Sequence, residues 1–112
     1  MKQTNSAVLP DGQAIHLAAM VDYQAGSIVS RTLINKEKGS VTLFAFGAGQ
    51  ALSEHTAPFD ALVQVLDGRL ELTVGGAVVT AAAEEVVLLP AEVPHALRAV
   101  EPGKMLLVMI RE

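Results

Sequence analysis

Apolar residues recur along this chain in short runs, and turn-forming residues close almost every run. Residues 27–34 are followed by the polar stretch 35–39, and residues 41–46 by Gly47-Ala48-Gly49. Residues 61–66 end at Asp67-Gly68 and residues 70–74 at Gly75-Gly76, two pairs that read as hairpin turns because glycine accepts positive φ. Residues 86–89 stop at Pro90, and residues 105–110 follow Glu101-Pro102-Gly103. Six or more short strands with regular turns predict an all-β sandwich or barrel.

The pattern within the runs carries more. Leu70, Leu72 and Val74 alternate with Arg69, Glu71 and Thr73, so that strand has one wet face. Residues 61–66 and 105–110 are apolar at nearly every position, so both of their faces are expected to be covered. In so short a chain one cover is the barrel core and the other a second subunit, which predicts a homodimer. Near the start, Ile15, Ala18, Ala19 and Asp22 lie at helix spacing, and a short helical or irregular segment is expected there. The expected organisation is an N-terminal segment, 1–26, packing on the barrel or on a partner subunit, and a barrel domain, 27–112.

Composition narrows the options. The chain has 112 residues, enough for one domain, and 51% of them are hydrophobic, on the high side for a soluble protein. Its formal net charge is −4, and its lysines and arginines form no cluster, which argues against a phosphate-backbone partner. There is no cysteine, so disulfides, thiolate nucleophiles and sulfur ligands for zinc are out. No apolar run approaches the length of a membrane span or a leader peptide, and a cytoplasmic protein is the expectation.

Two segments carry a family likeness. The first has Gly49, His55 and Gly68, with Ala61 between the last two; the second has Pro90 and His95, preceded by Glu84. Their spacing resembles the two conserved motifs of the cupins. In the first motif a Gly is followed after five residues by a His, and a later ligand position lies six residues before a second Gly. In the second, a Pro and then a Gly lead to a His. The resemblance implies an all-β double-stranded β-helix, the jelly-roll or cupin barrel, with both motifs at the barrel mouth.

The family's metal ligands are three His and one Glu. Placed on this chain, the first and last His positions hold His55 and His95, the middle His position holds Ala57, and the Glu position holds Ala61. The glycine and asparagine positions of the second motif hold Glu84, Glu92 and Ala99. Catalytic metals usually take three protein ligands, so a third must come from elsewhere. Asp60, Glu54, Gln64 and His16 are the candidates, although alternation turns Asp60 and Gln64 away from the Ala61 side.

The residues and the resemblance together predict a small-molecule pocket around His55 and His95, with Ala57, Ala61, Phe44, Phe46, Gln64 and Met105 as its expected lining. The rival expectation is a metal-dependent enzyme of dioxygenase or isomerase type, holding iron, manganese, nickel or zinc through His55, His95 and a third ligand. No catalytic residue is assigned. Arg31, in a strand, is read as a solvent or interface residue before an anion anchor. The expected partners are a small molecule and a second copy of the chain, with neither nucleic acid nor membrane.

Overall fold

The computed structural model describes residues 9–112. The described chain forms nine strands: β1 (Ile28–Lys36), β2 (Gly39–Phe46), β3 (Ala51–His55), β4 (Asp60–Asp67), β5 (Arg69–Val74), β6 (Ala77–Ala82), β7 (Val86–Leu89), β8 (His95–Arg98) and β9 (Gly103–Ile110). They make two antiparallel sheets, one in the order β1-β2-β9-β4-β7 and the other β3-β8-β5-β6. The sheets face each other as a jelly-roll barrel.

All six apolar runs lie in strands. The three strands that the runs do not announce are β3, β6 and β8. β3 ends in Ser53-Glu54-His55, β8 has only four residues, and β6 mixes alanine, valine and threonine without alternation. Each is held by its neighbours rather than by its own pattern.

Inward-facing residues of both sheets fill the barrel. Val63, Val65, Leu70, Leu72, Phe46 and Ala99 are fully buried, and Ala61, Ala81, Leu89, Leu97 and Met105 nearly so. Burial follows strand alternation closely along β4, where Ala61, Val63 and Val65 turn in while Asp60, Leu62 and Gln64 turn out.

Gly75-Gly76 forms the predicted hairpin. Val74 pairs with Ala77 across it, and both glycines have positive φ, 58° and 87°. Asp67-Gly68 does not. β4 pairs with β7 and β9, whereas β5 pairs with β6 and β8, so this dipeptide carries the chain from one sheet to the other. Gly68 is needed there twice over. Its φ is +70°, and a Cβ would sit 2.2 Å from the Pro102 carbonyl oxygen.

The short N-terminal segment, expected to be helical or irregular, is irregular apart from one turn. Only Leu17–Met20 coils, as one turn of 3-10 helix closed by the Ala19 N–H donating to His16 O at 3.1 Å. A helix nucleus is costly, and a stretch this short has too few following residues to repay it. Residues 9–26 instead lie on the outer face of the five-stranded sheet. Val21, Leu17, Met20 and Leu9 pack there against Leu33, Leu43, Ala45 and Leu106. Residues 1–8 of the expected N-terminal segment lie outside the described residues.

Three polar contacts pin this segment. Arg31 Nη1 donates to Met20 O at 2.7 Å, and Lys104 Nζ to Ala18 O at 2.6 Å. The Tyr23 hydroxyl donates to Asp67, while the Lys104 ammonium lies 4.9 Å from the Tyr23 ring centroid. Arg31 therefore secures backbone. Among the described residues, no helix is long and apolar enough to cross a membrane.

Candidate functional site

His55 ends β3 and His95 begins β8, and the two are paired directly across those strands. The pairing depends on an irregularity. Between Leu52 and His55 the register shifts, so strict alternation from the inward-facing Leu52 is broken. Without the shift, His55 would face outward, opposite to Leu52. With it, the imidazole turns toward the barrel mouth and meets His95.

The two rings meet edge to face, with centroids 4.3 Å apart. Their Nε2 atoms are 3.1 Å apart. The His55 Nδ1–H donates to Ser53 O at 2.8 Å, and the His95 Nδ1–H donates to Val93 O at 3.2 Å. A carbonyl oxygen only accepts, so each Nδ1 carries its proton. When both rings are neutral, two Nε2 lone pairs therefore face one another. That contact becomes favourable when a proton donor or a cation engages them. His95 is 6% exposed and is the one buried polar side chain of the described core, whereas His55 stands open to solvent.

Behind the pair lies a partly enclosed cavity of about 110 Å³. Ala57, Ala61, Met105, Leu107 and Met109 form part of its wall, together with Leu52, Val63, Leu89 and Leu97. Apart from the two imidazoles it is apolar throughout. Five of the eight residues expected from the sequence line it: His55, His95, Ala57, Ala61 and Met105. The other three do not. Phe46 is fully buried, and Phe44 packs against the same core with its ring stacked 5.9 Å from that of Phe46. Gln64 lies on the outer face of β4, because it alternates with Val63 and Val65. Leu107 and Met109 were legible as wall residues, since they share the inward face of β9 with Met105.

The donor set does not complete the family's metal centre. The second His and the Glu positions are methyl groups at Ala57 and Ala61. Asp60 is committed elsewhere, accepting a hydrogen bond from the Ala91 N–H at 2.8 Å. Glu54 and His16 are exposed and absent from the cavity wall. Among the described residues no three His, Asp or Glu side chains converge as a metal-ligand group. Two imidazoles remain, one short of the usual catalytic minimum.

A larger concavity, about 560 Å³, lies between residues 19–24 and β1. It is a shallow groove open to solvent, and its one strong cation, Arg31, is already bound to Met20 O. The smaller cavity has the enclosure and the convergent polar atoms of a binding site.

The second motif departs from the family in its turns. Glu84 and Glu92 both adopt positive φ, 75° and 66°, where the motif has glycine. The turns survive because backbone bonds hold them: Glu84 N–H donates to Val65 O at 2.7 Å, and Glu92 N–H to Ala57 O at 2.8 Å. The second of these bonds ties the loop before His95 to the loop after His55.

Comparison with known proteins agrees with this architecture. A conserved protein of unknown function from Streptococcus pyogenes is 30% identical, with a TM-score of 0.90 over 98% of this chain and 96% of that one. A cupin superfamily protein from Desulfitobacterium hafniense is 25% identical, with a TM-score of 0.88 over 93% and 95% of the two chains. The Cupin 2 conserved barrel domain protein from Leptotrichia buccalis is 41% identical over 87% of this chain, which spans 47% of that protein, with a TM-score of 0.84. No curated protein matches. Residues 42–111 match the Cupin domain family, and with the double-stranded β-helix and its two motifs on one mouth the chain belongs to the cupins.

Proposed function

We propose that this cupin binds a small molecule in the barrel cavity, with His55 and His95 as its polar contact. The carrying observation is the convergence of two Nε2 atoms, 3.1 Å apart, at the open end of an otherwise apolar cavity. Each imidazole is oriented by its Nδ1–H bond to backbone, so both Nε2 atoms are held ready as acceptors.

The cavity sets the ligand's size. At about 110 Å³ it is smaller than the ~150 Å³ void that takes benzene. The buried part of the ligand therefore has about six non-hydrogen atoms or fewer. Its wall favours an apolar body, and the facing lone pairs favour a head that donates a hydrogen bond, such as a hydroxyl or an amine.

The test is a thermal-shift screen of small apolar fragments bearing such heads. A ligand that binds only the folded state raises the melting temperature by mass action. Hits should lose their effect in Ala61→Leu, which fills the cavity, and weaken in His55→Ala. Hits indifferent to both substitutions would refute the reading. Iron, manganese, nickel or zinc co-purifying with the untagged protein, and lost in His55→Ala, would replace it with a two-imidazole metal site.

A further inference from the structure

The cavity closed by the two imidazoles also holds sulfur. Met109 sits directly opposite Ala61 in the register of β9 on β4, and both residues line the cavity. Ala61 stands where the cupin motif has its Glu ligand. A methyl group there leaves the space in front of it to the neighbouring strand, and Met109 is the long, flexible side chain that flanks it. His55 and His95 belong to the four-stranded sheet, and Met109 to the five-stranded one. The thioether thus lines the wall across the barrel from the Nε2 pair, beside the position that the Glu of the motif would hold.

We propose that His55 Nε2, His95 Nε2 and Met109 Sδ form a site for a soft monovalent ion, copper(I), in place of the divalent ion for which the family's full ligand set is built. Donor type is the first argument. Imidazole suits several metals, whereas a thioether selects copper(I). Charge is the second. All three donors are neutral, and among the described residues that wall the cavity none is charged. The Born cost of carrying an ion into an apolar site rises with the square of its charge, so this wall penalises a divalent ion far more than a monovalent one. Geometry is the third. The two Nε2 atoms are 3.1 Å apart. Two nitrogens each about 2.0–2.1 Å from one ion, at an angle between tetrahedral and trigonal, stand ~3.3–3.6 Å apart, so the rings need to part only slightly. Both rings are already oriented by Nδ1–H bonds to Ser53 O and Val93 O, the outer-shell support that metal-binding imidazoles use.

The experiment is an anaerobic copper(I) titration of the untagged full chain, with a chromophoric copper(I) chelator competing for the ion. The wild type is expected to take one ion per chain. His55→Ala should abolish that binding. Met109→Leu should weaken it by at least the ~10-fold that loss of even an outer-shell partner costs. His55 is exposed, and Met→Leu nearly conserves volume, so both variants should keep the far-UV circular dichroism of the wild type. Met105→Leu is the control. Met105 lines the same cavity but pairs with Val65, deeper along β4, and its replacement should leave the affinity unchanged. X-ray absorption at the copper edge should show one sulfur and two nitrogens in the wild type, and the sulfur should vanish in Met109→Leu. Failure to bind copper(I), binding that survives His55→Ala, or a sulfur-free shell in the wild type overturns the proposal. So does a sulfur lost with Met105 in place of Met109, or zinc(II) bound as tightly as copper(I). The inference goes beyond the ligand reading and is tested apart from it: copper(I) and a hydrogen-bond-donating head use the same lone pairs, but fragment hits are scored on metal-free protein and the titration contains no fragment.

Discussion

Replacing Gly68 by alanine should be among the most damaging single-methyl changes in this protein. Gly68 turns the chain out of one sheet and into the other at φ +70°. An added Cβ would stand 2.2 Å from Pro102 O and 3.1 Å from Gly103 Cα. Both neighbours are backbone, so neither can swing away as a side chain would. Gly76 supplies the internal control, because its φ is +87° but nothing lies within 4 Å of the position its Cβ would take. Left-handed strain costs each alanine roughly 1–2 kcal/mol. Restricting the unfolded chain offsets about 0.4–1 kcal/mol of that in both variants. Gly76→Ala should therefore lose about 1 kcal/mol. Gly68→Ala adds the overlap, an overpacking cost of about 2–3 kcal/mol, for a total near 3–4 kcal/mol. Against a typical stability of 5–15 kcal/mol the variant still folds, with a melting temperature lower by roughly 10 °C or more. Urea denaturation followed by far-UV circular dichroism measures both variants under one set of conditions. If the two lose the same stability within about 0.5 kcal/mol, the close approach of Gly68 to Pro102 is absent and the reasoning fails.

Glu92→Gly and Glu84→Gly should each stabilise the fold by about 0.5–1 kcal/mol, since relief of left-handed strain exceeds glycine's entropic penalty; a loss of stability in urea would show that the Glu side chains hold these turns. Tyr23 has its pKa raised above the ordinary 10.0, first by burial, then by the hydrogen bond it donates to Asp67, then by the charges of Asp67 and Glu101. The folded state therefore holds the phenolic proton more tightly, so this contribution is complete below pH 10 and is lost as pH rises beyond it. Tyr23 is 38% exposed and solvent screens the charges, so the effect is modest. Tyr23→Phe should flatten the fall in stability above pH 10, and an unchanged slope would assign that fall to other groups. Ala61→Leu should cost less than about 1.5 kcal/mol while closing the cavity, because the added methyls enter existing space; aggregation or a molten near-ultraviolet spectrum would mean the cavity is smaller than it measures.

How far each feature was legible depended on the range of the forces that make it. Strand alternation is local, and it correctly turned Ala61 and Met105 inward and Asp60 and Gln64 outward. The Gly75-Gly76 hairpin is local too, because two positive φ angles and short strands on either side suffice. Over residues 15–22 the sequence left helical and irregular backbone open, and only one 3-10 turn forms because the spacing of apolar residues there serves a surface outside the segment. Val21 reaches 3% exposure by lying across β1, β2 and β9, and no helix is required for that.

Two histidines forty residues apart were legible as one site because their spacing to Gly49, Gly68 and Pro90 carried a family's signature. Which way His55 points was not. Alternation from Leu52 would send it outward, and only the register shift against β8 brings its Nε2 within 3.1 Å of the one on His95. Asp67-Gly68 is ambiguous for the same reason: a tight turn looks alike whether it closes a hairpin or passes the chain between sheets. Side-chain period and glycine placement act over a few bonds and can be read in order along the chain. Strand register, sheet membership and the facing of two imidazoles are set by backbone hydrogen bonds between residues far apart in sequence, and those exist only once the barrel has closed.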